Sequence, residues 1–241
     1  IDVGRLVKTL DKCVGAFSRL CPEIETYPRT FTCRGDSITN FGNTRNATGY
    51  VHIVTNVLKR TRNVTVSIVP AGQNNDTSEG MLNRMQKDVI DKISKMTGTK
   101  WMTLMCGVND SGNSGYFTAA KYAACVSNIL DVAAANDLHA ILMTPSAMND
   151  NLNYGDNGFV NKPPKNFPRD DQASLQNRNW FEATAYLPIL KEEAARRNIP
   201  LADVHATLWE MAAKDQTRFL PDDIHPNTYG NFCMARALLK K

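Results

Sequence analysis

Long hydrophobic runs are missing from this 241-residue sequence, and their absence excludes one class of protein at once. A membrane-spanning helix needs about 20 consecutive apolar residues, and no run approaches that length. The sequence starts at Ile1, and no signal-peptide pattern follows that residue. We therefore expect no membrane span, and we expect this chain to be a processed product or a domain cut from a longer protein.

A strong excess of one charge is also missing. The 28 Lys and Arg residues stand against 24 Asp and Glu residues, which leaves a net charge of +4. Nucleic-acid-binding proteins usually concentrate basic residues on one face far more strongly. The two short basic clusters, at residues 59–62 and 196–197, are typical of solvated surface. The sequence therefore predicts no nucleic-acid partner.

Cysteines are few, and none has the spacing of a zinc site. The six cysteines include no CxxC pair and no Cys/His pair at zinc-ligand spacing, so no metal is predicted. Cys33 and Cys106 end apolar runs, which predicts two buried thiols. Cys13 and Cys21 have a spacing that permits a disulfide, and the sequence leaves that pairing open. A chain of this length needs no disulfide or metal to stabilise its core.

Short apolar runs alternate with longer amphipathic stretches. The apolar runs predict strands at residues 29–34, 63–69, 100–106, 138–143 and 199–202. The amphipathic patterns predict helices at residues 49–60, 78–95, 116–136, 171–197, 204–214 and 228–239. Strands separated by helix-length segments indicate a parallel sheet, and near-continuous apolar strands indicate cover on both faces. The sequence thus predicts an α/β fold, a three-layer α/β/α sandwich whose central parallel sheet has about five strands.

Two segments differ from this alternation. Residues 1–28 carry apolar residues at helical spacing and predict a helical lead-in before a domain at residues 29–241. Residues 145–170 are rich in Asn, Asp, Gly and Pro, which is typical of a functional or structureless loop. Within that loop, Tyr154 and Phe159 are candidates for substrate contact.

The first candidate for chemistry is Ser37, in the segment Arg-Gly-Asp-Ser-Ile-Thr at residues 34–39. This segment follows the first predicted strand, and ligands of parallel α/β sheets bind outside the carboxyl ends of the strands. Gly35 permits a tight turn that exposes a serine two residues later. A turn with a helix cap is an equally good interpretation of the segment alone. Adhesion through Arg34-Gly35-Asp36 is disfavoured because this tripeptide ends a core strand.

Two further segments follow predicted strands. Gly72, within residues 69–77, lets backbone N–H groups point into a site, although an ordinary loop has the same pattern. Asn109, within residues 106–110, places a side-chain amide at a strand end, where it is able to donate to a developing oxyanion. An Asx turn is the alternative interpretation for Asn109.

The fourth segment is residues 222–227, just before the last predicted helix. A serine hydroxyl needs a neighbouring base that accepts its proton, and His225 has a suitable side chain. A carboxylate on the other ring nitrogen fixes the tautomer of such a histidine. Asp222 lies three residues before His225, and Asp223 is an alternative that spacing alone does not exclude.

Together, the four segments resemble the SGNH (GDSL-like) hydrolase superfamily. Gly-Asp-Ser, a glycine loop, Gly-x-Asn-Asp and Asp-x-x-His occur here in that family's order over about residues 30–240. The resemblance implies a flavodoxin-like SGNH fold with Ser37 as nucleophile, His225 as general base and Asp222 as its orienting acid. It also implies an oxyanion hole made by the N–H groups of Ser37 and Gly72 and the amide of Asn109.

The chain departs from the family pattern at two points. Ile38 replaces the leucine of the GDSL motif, which is a trivial change. Residues 73–75, Gln-Asn-Asn, are unusually polar for the family's glycine loop. The oxyanion role of Gly72 is therefore the least secure of these assignments.

The implied reaction is two-step acyl transfer, which needs no metal or organic cofactor. The expected partner is a small-molecule or polysaccharide ester, and the polar approach to Ser37 favours removal of O-acetyl groups from a carbohydrate. A lipase, a lysophospholipase, a thioesterase and a non-catalytic carbohydrate-binding module are the alternatives. A multidomain virion or cell-surface protein is the setting we expect, with an extracellular or surface location favoured over the cytoplasm.

The other histidines and the tryptophans have structural interpretations. His52 and His139 lie within a helix pattern and a strand pattern, and His205 lies where a helix begins. We expect all three tryptophans to pack in the core, at positions Trp101, Trp180 and Trp209.

Overall fold

The computed structural model describes residues 29–44, 49–62, 66–112, 118–148, 153–154, 159–160, 185–212, 219–221 and 224–240. The predicted lead-in at residues 1–28 therefore lies outside the described residues, together with Cys13 and Cys21. Trp180 and the two candidate acids Asp222 and Asp223 also lie outside them.

A parallel sheet forms the centre of the protein. The strands are β1 (Arg29–Gly35), β2 (Val66–Gly72), β3 (Thr99–Met105), β4 (Leu138–Met143), β5 (Asn153–Tyr154), β6 (Phe159–Val160) and β7 (Leu201–Ala202). Five of them pair in parallel in the order β2-β1-β3-β4-β7. This confirms the predicted parallel sheet, and its order is that of a flavodoxin-like doubly wound fold.

Helices cover both faces of the sheet. They are α1 (Ser37–Thr44), α2 (Tyr50–Arg62), α3 (Ser78–Asn83), α4 (Asp91–Ile93), α5 (Val108–Gly112), α6 (Ala119–Ala134), α7 (Leu187–Arg197), α8 (Val204–Ala212) and α9 (Thr228–Leu239). Alternate side chains of β4 enter two separate cores, with Ile141 and Met143 in one and Ala140 and Leu142 in the other. The predicted three-layer sandwich is therefore confirmed.

The described boundaries differ from the predicted ones mainly at β2 and after it. The predicted strand at residues 63–69 stops before Pro70, whereas β2 continues through Pro70 to Gly72. Proline is tolerated there because β2 lies at the edge of the sheet. The helix predicted at residues 78–95 is divided into α3, a π-helical segment at Gln86–Ile90, and α4.

Some predicted features of single residues and loops change as well. The loop at residues 145–170 contains an antiparallel pair, β5 with β6, so it is not wholly structureless. Trp209 is 39% exposed, so its predicted place in the core was wrong, because its position on α8 leaves the ring at the surface. The substrate contacts predicted for Tyr154 and Phe159 stay predictions, since only their backbone is described.

Other predictions about buried groups are confirmed. Cys33 and Cys106 are buried free thiols, and burial raises the pKa of Cys33 to about 12. His205 is the second residue of α8, and its N–H donates to Thr144 Oγ1 at 2.8 Å. Trp101 packs half-buried against the core and stacks on His139, with ring centroids 4.9 Å apart. In the described part of the chain, no helix is long and apolar enough to cross a membrane.

A side-chain amide ties the start of α9 to α2. Asn231 Oδ1 accepts the N–H of Tyr50 at 2.9 Å, and Asn231 Nδ2 donates to the backbone oxygens of Pro226 and Asn227 at 2.9 and 3.0 Å. Asn227 caps α9 by accepting two N–H groups of its first turn. These contacts fix the backbone next to His225.

We expect Asn231→Ala to lower the free energy of unfolding by about 1–3 kcal/mol, because it removes the acceptor of the Tyr50 N–H and the side-chain donor to Pro226 O and Asn227 O. Urea unfolding followed by circular dichroism measures this change. The matched control is Asn136→Ala, which removes an exposed amide that donates to Val132 O. Equal losses of stability in the two variants would contradict the role given to Asn231.

Candidate active site

Ser37 begins α1 directly after β1. The turn between them requires glycine at position 35, because a Cβ there would lie 2.1 Å from Thr39 Oγ1 and 3.2 Å from Met105 O. The packing of α1 and β3 around position 35 therefore leaves no room for a side chain. Ser37 is 9% exposed at this turn, at the carboxyl edge of the sheet.

His225 lies in the segment before α9 and meets Ser37. Ser37 Oγ and His225 Nε2 are 2.9 Å apart, although 188 positions separate the residues in sequence. This is hydrogen-bonding distance for a hydroxyl and an imidazole nitrogen. The predicted proximity of these two side chains is therefore present in the structure.

Asp36 is a buried acid beside this pair. Its Oδ1 accepts the N–H of Ile38 at 2.9 Å, and the residue is 1% exposed. Burial raises the pKa of Asp36 to about 7, against the opposing effects of the Ile38 N–H and of a protonated His225. Sequence reasoning gave Asp36 no part in the chemistry, and the helix-cap interpretation of this segment agrees with its contact to the Ile38 N–H at the start of α1.

Gly72 ends β2 opposite Gly35, and its neighbour Gln73 donates its N–H to Gly35 O at 3.1 Å. A Cβ at position 72 would lie 2.5 Å from the backbone nitrogen of Asn40 in α1. Close packing against α1 is therefore enough to require glycine at this position. An oxyanion role for its N–H remains a prediction.

The side chains of Asn109 and Asp110 form hydrogen bonds to the segment that follows β2. Asn109 Nδ2 donates to Asp76 O at 2.8 Å. Asp110 accepts the N–H of Ser78 at 3.1 Å and the hydroxyl of Ser78 at 2.5 Å. Burial raises the pKa of Asp110 to about 6, and the hydrogen bonds from Ser78 oppose that shift. Two consecutive side chains thus hold the neighbouring loop at both ends of a three-residue stretch.

Arg34 is fully buried, with 0% of its surface exposed. Its guanidinium donates to Ala71 O at 2.9 Å and to Met81 O at 2.5 Å. An adhesion motif requires an exposed arginine, so the structure excludes adhesion through Arg34-Gly35-Asp36. Sequence reasoning missed the contacts of Arg34, although an arginine within a core strand is itself a signal that buried polar partners are present.

The carboxyl ends of β1, β2 and β3 thus bring three of the predicted segments together at one edge of the sheet, and the start of α9 adds the fourth. Asp222 and Asp223 lie outside the described residues. Among the described residues, no group of three or more His, Cys, Asp or Glu side chains is placed to hold a metal ion.

Known proteins share the sequence family and the fold of this chain. The model of the GDSL-like lipase/acylhydrolase family matches residues 33–231. No curated protein matches the chain in sequence. The solved structure of Axe2, an acetylxylan esterase from Geobacillus stearothermophilus, has a TM-score of 0.69 at 22% identity, over 90% of this chain and 94% of Axe2.

Two other solved structures share the fold. A lipase/acylhydrolase from Enterococcus faecalis has a TM-score of 0.65 at 17% identity, over 88% of this chain and 94% of that protein. The acetyl xylan esterase AlAXEase has a TM-score of 0.63 at 19% identity, over 87% of this chain and 97% of that protein. With the family match spanning most of the sequence, the chain belongs to the GDSL-like lipase/acylhydrolase family and is a carboxylic ester hydrolase.

Proposed function

We propose that this protein is a serine esterase that removes O-acetyl groups from a carbohydrate, with Ser37 as nucleophile and His225 as general base. The observation that carries the proposal is the 2.9 Å distance between Ser37 Oγ and His225 Nε2. A serine hydroxyl is a weak nucleophile by itself, and a base at this distance is placed to remove its proton as the bond to carbon forms.

The reaction proceeds in two acyl transfers. Ser37 Oγ attacks the ester carbonyl while His225 Nε2 takes the hydroxyl proton, and the carbonyl electrons move to oxygen. Collapse of this tetrahedral intermediate breaks the ester bond, and His225 returns the proton to the leaving alcohol. Water then attacks the acyl-Ser37 in the same manner, so that the products are the acid, the alcohol and the free serine.

The developing negative charge needs donors that are fixed before the reaction. The Ser37 N–H lies at the start of α1, where helical N–H groups have no partner within the helix. The Asn109 amide carries two hydrogens, one of which Asp76 O already accepts, so the other fits an oxyanion. The Gly72 N–H is the third proposed donor.

A carboxylate completes the proposed triad. Asp222, three residues before His225, orients the imidazole, with Asp223 as the alternative. An acid bound to Nδ1 keeps Nε2 unprotonated and directed at the serine, and it stabilises the imidazolium that forms during attack.

Polar groups near Ser37 support a carbohydrate substrate. Asn40 lies one helical turn after Ser37, and its Nδ2 donates to Asn74 Oδ1 at 2.8 Å on the exposed surface. Two surface amides, one on the half-buried Asn40 and one on the exposed Asn74, suit a ligand rich in hydroxyl groups better than a long acyl chain.

A multidomain virion or cell-surface protein, located outside the cytoplasm, remains the setting we propose.

Proteins of the same fold support the acetyl group and the proposed nucleophile and base. Axe2 and AlAXEase are described as acetylxylan esterases. A serine-to-alanine variant and a histidine-to-alanine variant of Axe2 are described as catalytic mutants.

We expect Ser37→Ala to lower kcat for p-nitrophenyl acetate by at least about 10³-fold, because no other group replaces the attacking oxygen. Steady-state release of p-nitrophenol measures the effect. The matched control is Ser94→Ala, which removes an exposed hydroxyl that donates to Asp91 O and should retain the rate. Equal rates for Ser37→Ala and the unchanged protein would remove Ser37 from the mechanism and favour a non-catalytic binding module.

We expect kcat/KM to rise with pH between about pH 5 and 8, because only a neutral histidine accepts the serine proton. Asp36→Asn should move the rise to lower pH by less than about half a unit, because burial raises the pKa of Asp36 to about 7 and its carboxyl is largely uncharged over the lower part of this range.

The control for this pH profile is Asp137→Asn, an exposed position with φ of 52° that asparagine adopts readily. Its profile should coincide with that of the unchanged protein. A flat profile between pH 5 and 8 in the unchanged protein would count against a histidine base.

We expect the acetyl ester to be the best substrate in a series of p-nitrophenyl acetate, butyrate and octanoate, with kcat/KM falling about tenfold or more toward octanoate. Acetate release from acetylated polysaccharides tests the natural substrate class directly. A rising preference for longer acyl groups would replace this assignment with a lipase.

A further inference from the structure

Four charged side chains form a closed ring beneath the loop that follows β2. Arg34 and Arg84 alternate with Asp76 and Asp88, and each arginine contacts both carboxylates. The nitrogen–oxygen distances are 3.9 Å for Arg34 with Asp76 and 3.4 Å for Arg34 with Asp88. We call these four residues the ion-pair ring.

The ion-pair ring is anchored in the core. The side chains of Arg34 and Asp76 are 0% and 4% exposed, whereas Arg84 is 25% exposed. Through Ala71 O and Met81 O, the Arg34 guanidinium also joins the end of β2 to α3. Buried charges are costly to keep unless several partners hold them, and this arrangement supplies those partners.

One residue of the ion-pair ring also touches the active site. The carboxylate of Asp76 belongs to the ring, and the backbone carbonyl of the same residue accepts the hydrogen bond from Asn109 Nδ2 at 2.8 Å. The orientation of the Asn109 amide is therefore set by an acceptor whose own side chain the ring holds. Asp110 holds Ser78, two residues further on, so the loop is fixed from both sides.

We propose that the ion-pair ring positions the Asn109 amide for the oxyanion, so that Arg34 and Arg84 are positioning residues for the reaction. This proposal rests on the proposed function, in which Asn109 donates to the oxyanion. Neither arginine needs to touch the substrate. If the ring opens, Asp76 shifts and the second hydrogen of the Asn109 amide points away from the developing charge.

The kinetic constant that changes, kcat or KM, distinguishes a positioning role of the ring from a general stabilising role. An oxyanion donor acts mainly in the transition state, so its misplacement lowers kcat and leaves KM nearly unchanged. If the ring had only a structural role, breaking it would lower the midpoint of unfolding without changing kcat per folded active site.

The test variant is Arg84→Gln, chosen because Arg84 is the most exposed member of the ring. We expect kcat per active site, titrated by the p-nitrophenol burst, to fall about tenfold with KM within about twofold. Arg84→Lys should lie between this variant and the unchanged protein, because an ammonium does not bridge two carboxylates as a guanidinium does. The control is Arg196→Gln, which removes a surface arginine paired with Glu193 and should retain kcat.

A double-mutant cycle with Asn109→Ala decides whether the ring acts through Asn109. Asn109→Ala alone should lower kcat by about 10² to 10³-fold. Adding Arg84→Gln should then lower kcat by less than about twofold more, since the amide that the ring positions is already gone. If Arg84→Gln does not fold, the same cycle is measured with Arg84→Lys.

Each other outcome has a distinct meaning. If Asn109→Ala is slow and the two effects multiply, the ring acts elsewhere and this proposal is overturned while the proposed function stands. Unchanged kcat in Arg84→Gln also overturns the ring proposal alone. If Asn109→Ala keeps the original kcat, the oxyanion role of Asn109 fails, and the ring proposal fails with it.

Discussion

The contact between Ser37 and His225 is the interaction on which the rest of the site depends. The two side chains meet at 2.9 Å across 188 positions of sequence, so local structure alone does not produce the contact. The parallel sheet places Ser37, because β1 ends at the edge where Ser37 begins α1. The docking of α9 on α2 through Asn231 places His225, because it fixes the backbone next to that residue.

The same edge of the sheet contains an unusual amount of buried charge. Asp36, Asp76 and Asp110 are each less than a tenth exposed, and Arg34 is not exposed at all. Burial of a charge is unfavourable by itself, so each group is stabilised by specific donors or acceptors. Those partners join different elements, as in the hydrogen bonds from Ser78 in α3 to Asp110 in α5 and from Arg34 in β1 to Met81 O in α3. These contacts tie the elements around the site to one another, and a preorganised site needs such ties.

Local patterns explain which features were predictable from the sequence. The strand at residues 138–143 and the helix at 228–239 agree with β4 and α9, because continuous apolar runs and helical spacing are local signals. The end of β2 was missed because only its edge position tolerates Pro70. The Ser37–His225 pairing followed from the resemblance of four segments in order. The ion-pair ring was not predictable from the sequence. Its contacts depend on where Asp76, Arg84 and Asp88 lie relative to β1, and no local pattern encodes that arrangement.

Because of the buried acids, stability and activity change in opposite directions as the pH rises. Burial raises the pKa of Asp36 to about 7 and that of Asp110 to about 6, from an ordinary value of 3.8. Between about pH 4 and 7 the folded state therefore holds protons that the unfolded state releases, so these two groups lower the free energy of unfolding as pH rises. A histidine base gains activity over the same range, since it must lose its proton. Asp36 lies next to the proposed nucleophile, and Asp110 lies next to the proposed oxyanion donor. These two acids thus lower stability at the pH values at which the proposed reaction is fastest. Functional sites commonly combine activity with such a loss of stability.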